Sequence, residues 1–105
     1  MYSRKQTGTL GEKAAARYLG EIGFGIIAKN WRAGREEIDI IAADSRQVLF
    51  VEVKTRTGYA YGSPEESISP GKVRKIRKAA AAYLMENSLA KKLSARFDII
   101  SIIID

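Results

Sequence analysis

The chain has 105 residues, 46% of them hydrophobic and 29% charged, which fits a single domain over residues 1–105 and excludes wholesale disorder. Eighteen Lys and Arg against 12 Asp and Glu leave a formal charge of +6, which favours a polyanionic partner, above all nucleic acid. The absence of Cys and His excludes disulfides, thiolate zinc sites and histidine-based catalysis.

The first predicted element is a helix over residues 9–23. Thr9 and Glu12 fit a capping box at its start, and Gly23 fits its end. Apolar residues recur every four positions and predict a buried face, formed by Leu10, Ala14, Tyr18 and Ile22 with Ala15 and Leu19 beside them.

Three strands are predicted next, over residues 24–31, 36–43 and 47–54, with a turn at residues 44–46 between the last two. The third strand has two different faces because successive side chains point to opposite sides of a sheet. One face is apolar and consists of Leu49, Val51 and Val53; the other contains Val48, Phe50, Glu52 and Lys54.

The second half of the chain predicts a long loop, a helix and a final strand. Gly58, Gly62 and Pro64 indicate a mobile loop over residues 55–68. Ser69 as N-cap and Pro70 at the first position begin a helix that continues to about Asn87. Its buried face is predicted to contain Val73, Ile76, Ala80 and Tyr83 or Leu84.

A connection over residues 88–95 leads to the last strand, residues 96–104, whose nearly continuous apolar run predicts cover on both faces. The order of elements is therefore α-β-β-β-α-β. It predicts an α/β fold with a mixed central sheet, which the last strand joins, flanked by helices.

Asp39, Glu52 and Lys54 are the strongest candidates for a catalytic site. If residues 36–43 pair antiparallel with 47–54, positions 39 and 52 are equidistant from the turn and face each other. Neighbouring carboxylates repel each other unless a cation neutralises them, and Mg²⁺ or Mn²⁺ suits such ligands. The backbone carbonyl of Val53 is a further candidate ligand. Lys54 is suited to orient a metal-bound water or to stabilise charge on a scissile phosphate.

Each candidate also has a structural interpretation. Glu52 and Lys54 form a common type of solvated ion pair, and Asp39 fits a polar strand face. Glu12 fits either the capping box or a role at or around the metal. Because Phe50 shares the face of Glu52, we expect that face to be partly covered, with the helix over residues 9–23 packing there and bringing Glu12 within reach.

The second helix is strongly basic. Five positive charges fall within seven residues: Lys72, Arg74, Lys75, Arg77 and Lys78. They predict contacts to phosphates and recognition of backbone shape instead of base sequence, although a solvated helix face is the alternative.

The predicted loop adds three candidates for nucleic-acid contact. Arg56 is expected to contact phosphate or to pair with Glu65 or Glu66. Tyr59 and Tyr61 are suited to stack on unpaired bases, and the alternative is that they cover a hydrophobic edge.

No membrane span or signal peptide is predicted. The most apolar stretch, residues 99–104, is interrupted by Ser101 and is far shorter than the roughly 20 residues of a spanning helix. Residues 1–6 lack an apolar signal segment. We therefore expect a cytoplasmic protein with no membrane partner.

Several motifs together resemble the YraN-like family of small, largely uncharacterised bacterial proteins. They are Gly11-Glu12, Asn30-Trp31-Arg32, Glu37-Ile38-Asp39, Phe50-Val51-Glu52-Val53-Lys54-Thr55-Arg56, Gly62-Ser63-Pro64 and Arg96-Phe97-Asp98. That family is similar to archaeal Holliday-junction resolvases, which implies a restriction-endonuclease-like fold with a D…E-x-K metal site.

Applied to this sequence, the resemblance implies a role for each candidate residue of the acidic cluster. Asp39 and Glu52 are metal ligands, Lys54 is the catalytic lysine, and Glu12 is an acid carried by the first helix. Glu36 departs from the family pattern, because Gly usually stands before its Glu-Ile-Asp motif.

Three functions are compatible with these observations. The leading hypothesis is an endonuclease, dependent on Mg²⁺ or Mn²⁺, that acts on branched or junction DNA. The alternatives are a non-catalytic nucleic-acid-binding module on the same scaffold and a protein-interaction domain. A symmetric homodimer is compatible with junction binding.

Overall fold

A four-stranded sheet has one helix on each face in the computed structural model, which describes residues 3–57 and 69–104. In chain order the elements are α1 (Arg4–Glu21), β1 (Gly25–Ala33), β2 (Glu36–Ala43), β3 (Gln47–Thr57), α2 (Pro70–Glu86), a short 3-10 helix (Ala90–Lys92) and β4 (Ser94–Ile104). The sheet order is β1-β2-β3-β4; the first three strands form an antiparallel meander, and β4 pairs parallel with β3. The predicted α-β-β-β-α-β order and mixed sheet are confirmed.

The ladder between β2 and β3 has the predicted register but is short. It contains four pairs, from Ile40–Val51 to Ala43–Val48. The turn that follows is held by Asp44, whose Oδ1 accepts hydrogen bonds from the backbone of Arg46 and Gln47, both at 2.8 Å. Beyond the Ile40–Val51 pair the two strands no longer pair with each other, although each keeps its other neighbour. We call this opening between β2 and β3 the fork.

The two helices pack on opposite faces of the sheet, as the alternation in β3 predicts. On the α1 face the core consists of Ala15, Leu19, Ile40, Ala42, Leu49 and Val51. On the α2 face it consists of Ile38, Ile41, Val48, Phe50, Ala79, Ala80, Tyr83 and Ala90. The expectation that the first helix packs on the face of Glu52 is wrong, because α1 takes the fully apolar face instead.

Helix α1 begins earlier than predicted. Its capping box is formed by Ser3 and Gln6, each side chain accepting a hydrogen bond from the other's backbone. Thr9 lies inside the helix and its hydroxyl donates to the carbonyl of Lys5, so the predicted box of Thr9 and Glu12 is wrong. The predicted end is confirmed, because Gly23 follows the helix with φ +101°.

The buried stripe of α1 is also shifted by one position from the prediction. It consists of Gly11, Ala15 and Leu19, whereas the predicted Tyr18 is 52% exposed. Small residues allow the helix to lie close to the sheet: a Cβ on Gly11 would overlap the side chain of Thr55. Ala15 and Leu19, which were predicted beside the buried face, belong to this stripe, whereas the predicted four-residue repeat lies on the neighbouring, exposed face of the helix.

Helix α2 has the predicted start, with the hydroxyl of Ser69 accepting a hydrogen bond from the backbone of Lys72 and Pro70 in the first turn. Its buried residues are Ala79, Ala80 and Tyr83, whereas the predicted Val73 is 37% exposed. Within residues 3–57 and 69–104, no helix has both the length and the apolar content needed to cross a membrane.

Strand β4 lies at an edge of the sheet and is not covered on both faces, so that prediction is wrong. Helix α2 packs over β2 and β1, which leaves Phe97 45% and Ile99 43% exposed on its side of the sheet. On the other side Ile100 packs against the α1 core. Strand β3 in turn extends to Thr57, so residues 55–57 belong to a strand and not to the predicted loop. Residues 58–68 of that loop lie outside the described residues.

The contact between Gly11 and Thr55 generates a stability prediction. Gly11→Ala is expected to lower the free energy of unfolding by about 1–3 kcal/mol, because the added methyl group overpacks the interface of α1 and β3. Thr55→Ala in the same chain should recover part of that loss, and urea unfolding of the four proteins measures the coupling. As a control, Gly8→Ala adds a methyl group in open space of the same helix and should stabilise by roughly 0.5–1 kcal/mol. Equal effects at both glycines would contradict the close approach.

Candidate metal and nucleic-acid site

Asp39 lies where the fork opens, and its side chain replaces a backbone carbonyl as the hydrogen-bond acceptor for an amide of β3. Its Oδ2 accepts a hydrogen bond of 2.8 Å from the backbone amide of Val53. In the predicted register Glu52 would lie opposite Asp39, so Val53 is one residue further along β3. A side chain therefore satisfies an amide that the ladder no longer reaches. The hydrogen bond ties the carboxylate to β3 at the apex of the fork.

The pKa of Asp39 is raised to about 6, mainly because burial disfavours the charged carboxylate. The hydrogen bond from Val53 works in the opposite direction. The negative charges of Glu52, Glu12 and Glu37 raise the pKa further. Asp39 is thus a partly buried acid within the electrostatic field of three other carboxylates.

Glu52 is the one charged residue classed as buried in the described parts of the chain, with 8% of its surface exposed. Two ammonium groups contact its Oε1 atom: Lys72 Nζ at 2.6 Å and Lys54 Nζ at 3.5 Å. Burying a carboxylate is costly unless it is paired, and these two ammonium groups supply the pairing. Glu52 and Lys54 share a face, as predicted, but they are shielded from solvent and not a solvated pair.

The two lysines differ in their electrostatic surroundings. Burial lowers the pKa of Lys54, and the neighbouring charge of Lys72 lowers it further against the opposing effect of Glu52. Burial is the largest single effect on Lys72 and opposes its charge, but the hydrogen bonds to Glu52 and Lys54 and the negative charges of Glu52 and Asp39 together outweigh burial and raise the pKa of Lys72. Lys72 is therefore the more firmly protonated partner of Glu52.

Glu12 reaches the fork region from α1, on the other side of the sheet. The amide of Asn30, oriented by its two carboxylate neighbours, donates to Glu12 Oε1 at 2.6 Å and to Glu37 Oε1 at 2.9 Å. Burial raises the pKa of Glu12, and so does the charge of Glu37, whereas Lys29 lowers it. With the capping role removed, Glu12 is a carboxylate that Asn30 bridges to Glu37, and its negative charge acts on Asp39.

A magnesium-type ion at the fork would have few ligands from the protein. Within residues 3–57 and 69–104, no group of three Asp, Glu, His or Cys side chains lies close enough to hold a metal. Asp39 and Glu52 thus supply two carboxylates, with Val53 tied beside them. Mg²⁺ commonly takes one or two protein carboxylates and fills its other positions with water and phosphate oxygens, so two are sufficient. A closed, fully protein-ligated site is not what these residues offer.

The predicted basic residues of α2 divide into two groups. Lys72 turns to Glu52, a contact that the sequence prediction missed because it joins residues twenty positions apart. The other four are exposed: Arg74, Lys75, Arg77 and Lys78. Arg74 and Lys78 lie one helical turn apart, away from the side that packs on the sheet.

The remaining predicted contacts lie around the end of β3. Arg56 follows Glu52 and Lys54 on the same face of the strand, and its buried Nε has no hydrogen-bond partner among the described residues. Its predicted partners Glu65 and Glu66, together with Tyr59 and Tyr61, fall outside the part of the chain that the structure describes.

The motif Arg96-Phe97-Asp98 lies on β4, and Arg96 forms contacts within β4 and with β3. Arg96 Nη2 binds Asp98 Oδ2 at 2.8 Å and Arg96 Nη1 donates to Gln47 Oε1 at 3.0 Å. Because Gln47 begins β3, this motif connects the two parallel strands at the end away from Lys54. It belongs to the scaffold of the site and not to the fork.

Comparisons with known proteins agree on one family. Residues 11–102 match the uncharacterised protein family UPF0102. The chain is 44% identical over 104 residues to a UPF0102 protein of Clostridium botulinum (strain Loch Maree), covering 99% of this chain and 85% of the relative. It is 39% identical over 103 residues to a UPF0102 protein of Moorella thermoacetica, covering 98% and 85%.

The raised pKa of Asp39 generates a pH prediction. Between pH 4 and 6 the folded protein keeps a proton on Asp39 that the unfolded chain releases, so this residue makes stability fall as pH rises through that window. Asp39→Asn keeps the acceptor for Val53 without the charge. Its free energy of unfolding should equal that of the wild type near pH 4 and be larger by roughly 1–2 kcal/mol at pH 7, after allowance for solvent screening.

Urea unfolding in a chelating buffer measures this difference. Asp39→Ala is the matched control, because it removes the acceptor and should be destabilised at both pH values. Parallel pH profiles of the wild type and Asp39→Asn would contradict the assignment.

Proposed function

The chain belongs to UPF0102, the YraN-like family that its motifs indicated, and we propose that it is a cytoplasmic endonuclease dependent on Mg²⁺ or Mn²⁺. Its substrate is proposed to be structured DNA, branched or at a junction, and its reaction the hydrolysis of a phosphodiester bond. The proposal goes beyond the family assignment and is argued from the residues at the fork.

The observation that carries this proposal is the pair of carboxylates at the fork. Glu52 is buried, and Asp39 is desolvated with a pKa of about 6. An apolar pair at these positions would avoid the cost of burying charge, so two acids in this place favour a function that needs a cation. An acid with a perturbed pKa, as Asp39 has, is typical of functional sites.

In the proposed reaction, the oxygen of a water bonds to phosphorus and the water loses one proton, while the bond from phosphorus to the bridging oxygen breaks and the leaving oxygen takes up a proton. When bound, the divalent ion supplies neutralising charge and Lewis acidity. Asp39 and Glu52 are the residues that would hold it, with the carbonyl of Val53 as a further ligand. Lys54 donates hydrogen bonds to the phosphate as negative charge grows on it. Glu12 adds negative charge that attracts the cation.

The exposed basic residues of α2 support the choice of a nucleic acid as substrate. Arg74, Lys75, Arg77 and Lys78 extend along the helix that starts beside Glu52, so one surface combines the acids with phosphate-binding groups. We assign recognition to the shape and charge of the DNA backbone. A symmetric dimer would match two-fold branched DNA and stays a prediction.

A non-catalytic nucleic-acid-binding module is the second candidate. It is favoured by the two lysines that already neutralise Glu52 and by the lack of a third ligating side chain in the described residues. This candidate keeps the basic helix and needs no metal. The two functions differ in whether Mn²⁺ binds and whether DNA is cut.

Cleavage is tested with Glu52→Gln and Asp39→Asn. Each should reduce Mn²⁺-dependent nicking of branched DNA by at least about 100-fold, because each removes one of two charged ligands, while DNA binding persists. Glu21→Gln, an exposed acid at the end of α1, is the control and should cut like the wild type. If the wild-type protein never nicks branched, flapped or duplex DNA with either ion, the enzymatic proposal is wrong.

DNA binding is tested through its salt dependence. Replacing Arg74 and Lys78 together by Gln should weaken binding and lower the slope of log K against log salt by about 0.9 for each lost phosphate contact. Lys91 and Lys92, exposed in the 3-10 helix, provide a double substitution with the same loss of charge, which should leave the slope nearly unchanged. If both double variants have the same slope of log K against log salt, DNA does not bind at the exposed face of α2.

A further inference from the structure

We propose that Lys72 is a built-in cation that occupies Glu52 until a divalent ion displaces it, so that metal loading frees Lys72 to bind substrate phosphate. This inference rests on the proposed metal site and assigns the regulation of that site to one residue.

The geometry distinguishes Lys72 from the other basic residues of α2. Its ammonium lies 2.6 Å from Glu52 Oε1, closer than that of Lys54 at 3.5 Å, although Lys54 is only two positions away in the same strand. Only 33% of its side chain is exposed, whereas Arg74 and Lys75 are exposed. Its backbone is fixed, because its amide donates to the N-cap Ser69 at 3.2 Å.

The charges at the fork explain why this contact is replaceable. Lys72 contributes a single positive charge, and it faces Glu52 with Asp39 near enough to act on it. Glu12 and Glu37 add to the negative field around Asp39. A divalent ion carries twice the charge and binds carboxylate oxygens directly, so it competes for the oxygen that Lys72 holds.

Release of Lys72 would join metal binding to substrate binding. Once displaced, its ammonium lies in the first turn of the helix that carries Arg74 and Lys78 and adds a donor at the end nearest the acids. Without metal the same ammonium offsets the charge of Glu52 and so reduces the repulsion between the fork and DNA. The protein would then bind DNA before metal and complete its phosphate contacts afterwards.

Calorimetric titration with Mn²⁺ tests the competition. If Lys72 occupies Glu52 about nine-tenths of the time, Lys72→Met should bind Mn²⁺ about tenfold more tightly than the wild type. Lys72→Arg retains a competing cation and should stay close to the wild type. Lys75→Met loses the same charge from an exposed position of α2 and should change affinity less than about twofold, since solvent screens it.

A second measurement uses the unmodified protein and therefore does not depend on how the variants fold. Lysine acetylation by a small reagent is followed by mass spectrometry with and without Mg²⁺. Acetylation of Lys72 should become several-fold faster with Mg²⁺, while acetylation of exposed Lys75 and Lys78 should not change.

The outcomes separate the two proposals. Mn²⁺ binding of equal strength in the wild type, Lys72→Met and Lys75→Met, with no change in Lys72 acetylation, overturns the inference and leaves the metal site intact. Mn²⁺ binding that is detected only for Lys72→Met supports the inference and explains why the wild type shows no binding. No binding to any of the proteins overturns the proposed nuclease function, and the inference with it.

Discussion

The site depends on one interaction, the hydrogen bond from the amide of Val53 to the carboxylate of Asp39. Where β2 and β3 separate, a backbone donor would otherwise be left without a partner inside the fold, and an acid side chain supplies the acceptor. The same contact keeps a partly buried carboxylate beside the buried Glu52. The end of a regular ladder and the assembly of an acidic site are therefore one structural event.

Much of this arrangement follows from local sequence patterns. The turn at Asp44 and the alternation of apolar residues in β3 predict the register of β2 with β3 and place Glu52 and Lys54 on one face, although the ladder ends one pair before Asp39 would lie opposite Glu52. Ser69 and Pro70 likewise locate the start of α2. These features succeed because turns, caps and two-residue periodicity are encoded over a few positions.

Two failed predictions are local, the capping box of Thr9 and Glu12 and the loop that was expected to begin at residue 55. The others concern contacts between distant parts of the chain. The stripe of α1 that packs on the sheet is built on Gly11 and Ala15, whose small size matters only once Thr55 lies opposite. The apolar run of β4 has the composition of a central strand, but its exposure is decided by where α2 packs. Lys72 was grouped with the phosphate-binding residues because nothing local shows that it faces Glu52.

The parallel pairing of β3 with β4 has a consequence for the order in which the protein is made. Neighbouring strands β1, β2 and β3 are joined by short turns and can associate as soon as they leave the ribosome, whereas residues 58–93 must follow before β4 is available. The nascent chain thus carries Glu52 in β3 before either Lys72 or β4 exists to support it. During that interval Lys54 is the cationic partner that Glu52 has, and water solvates the carboxylate that the folded protein buries.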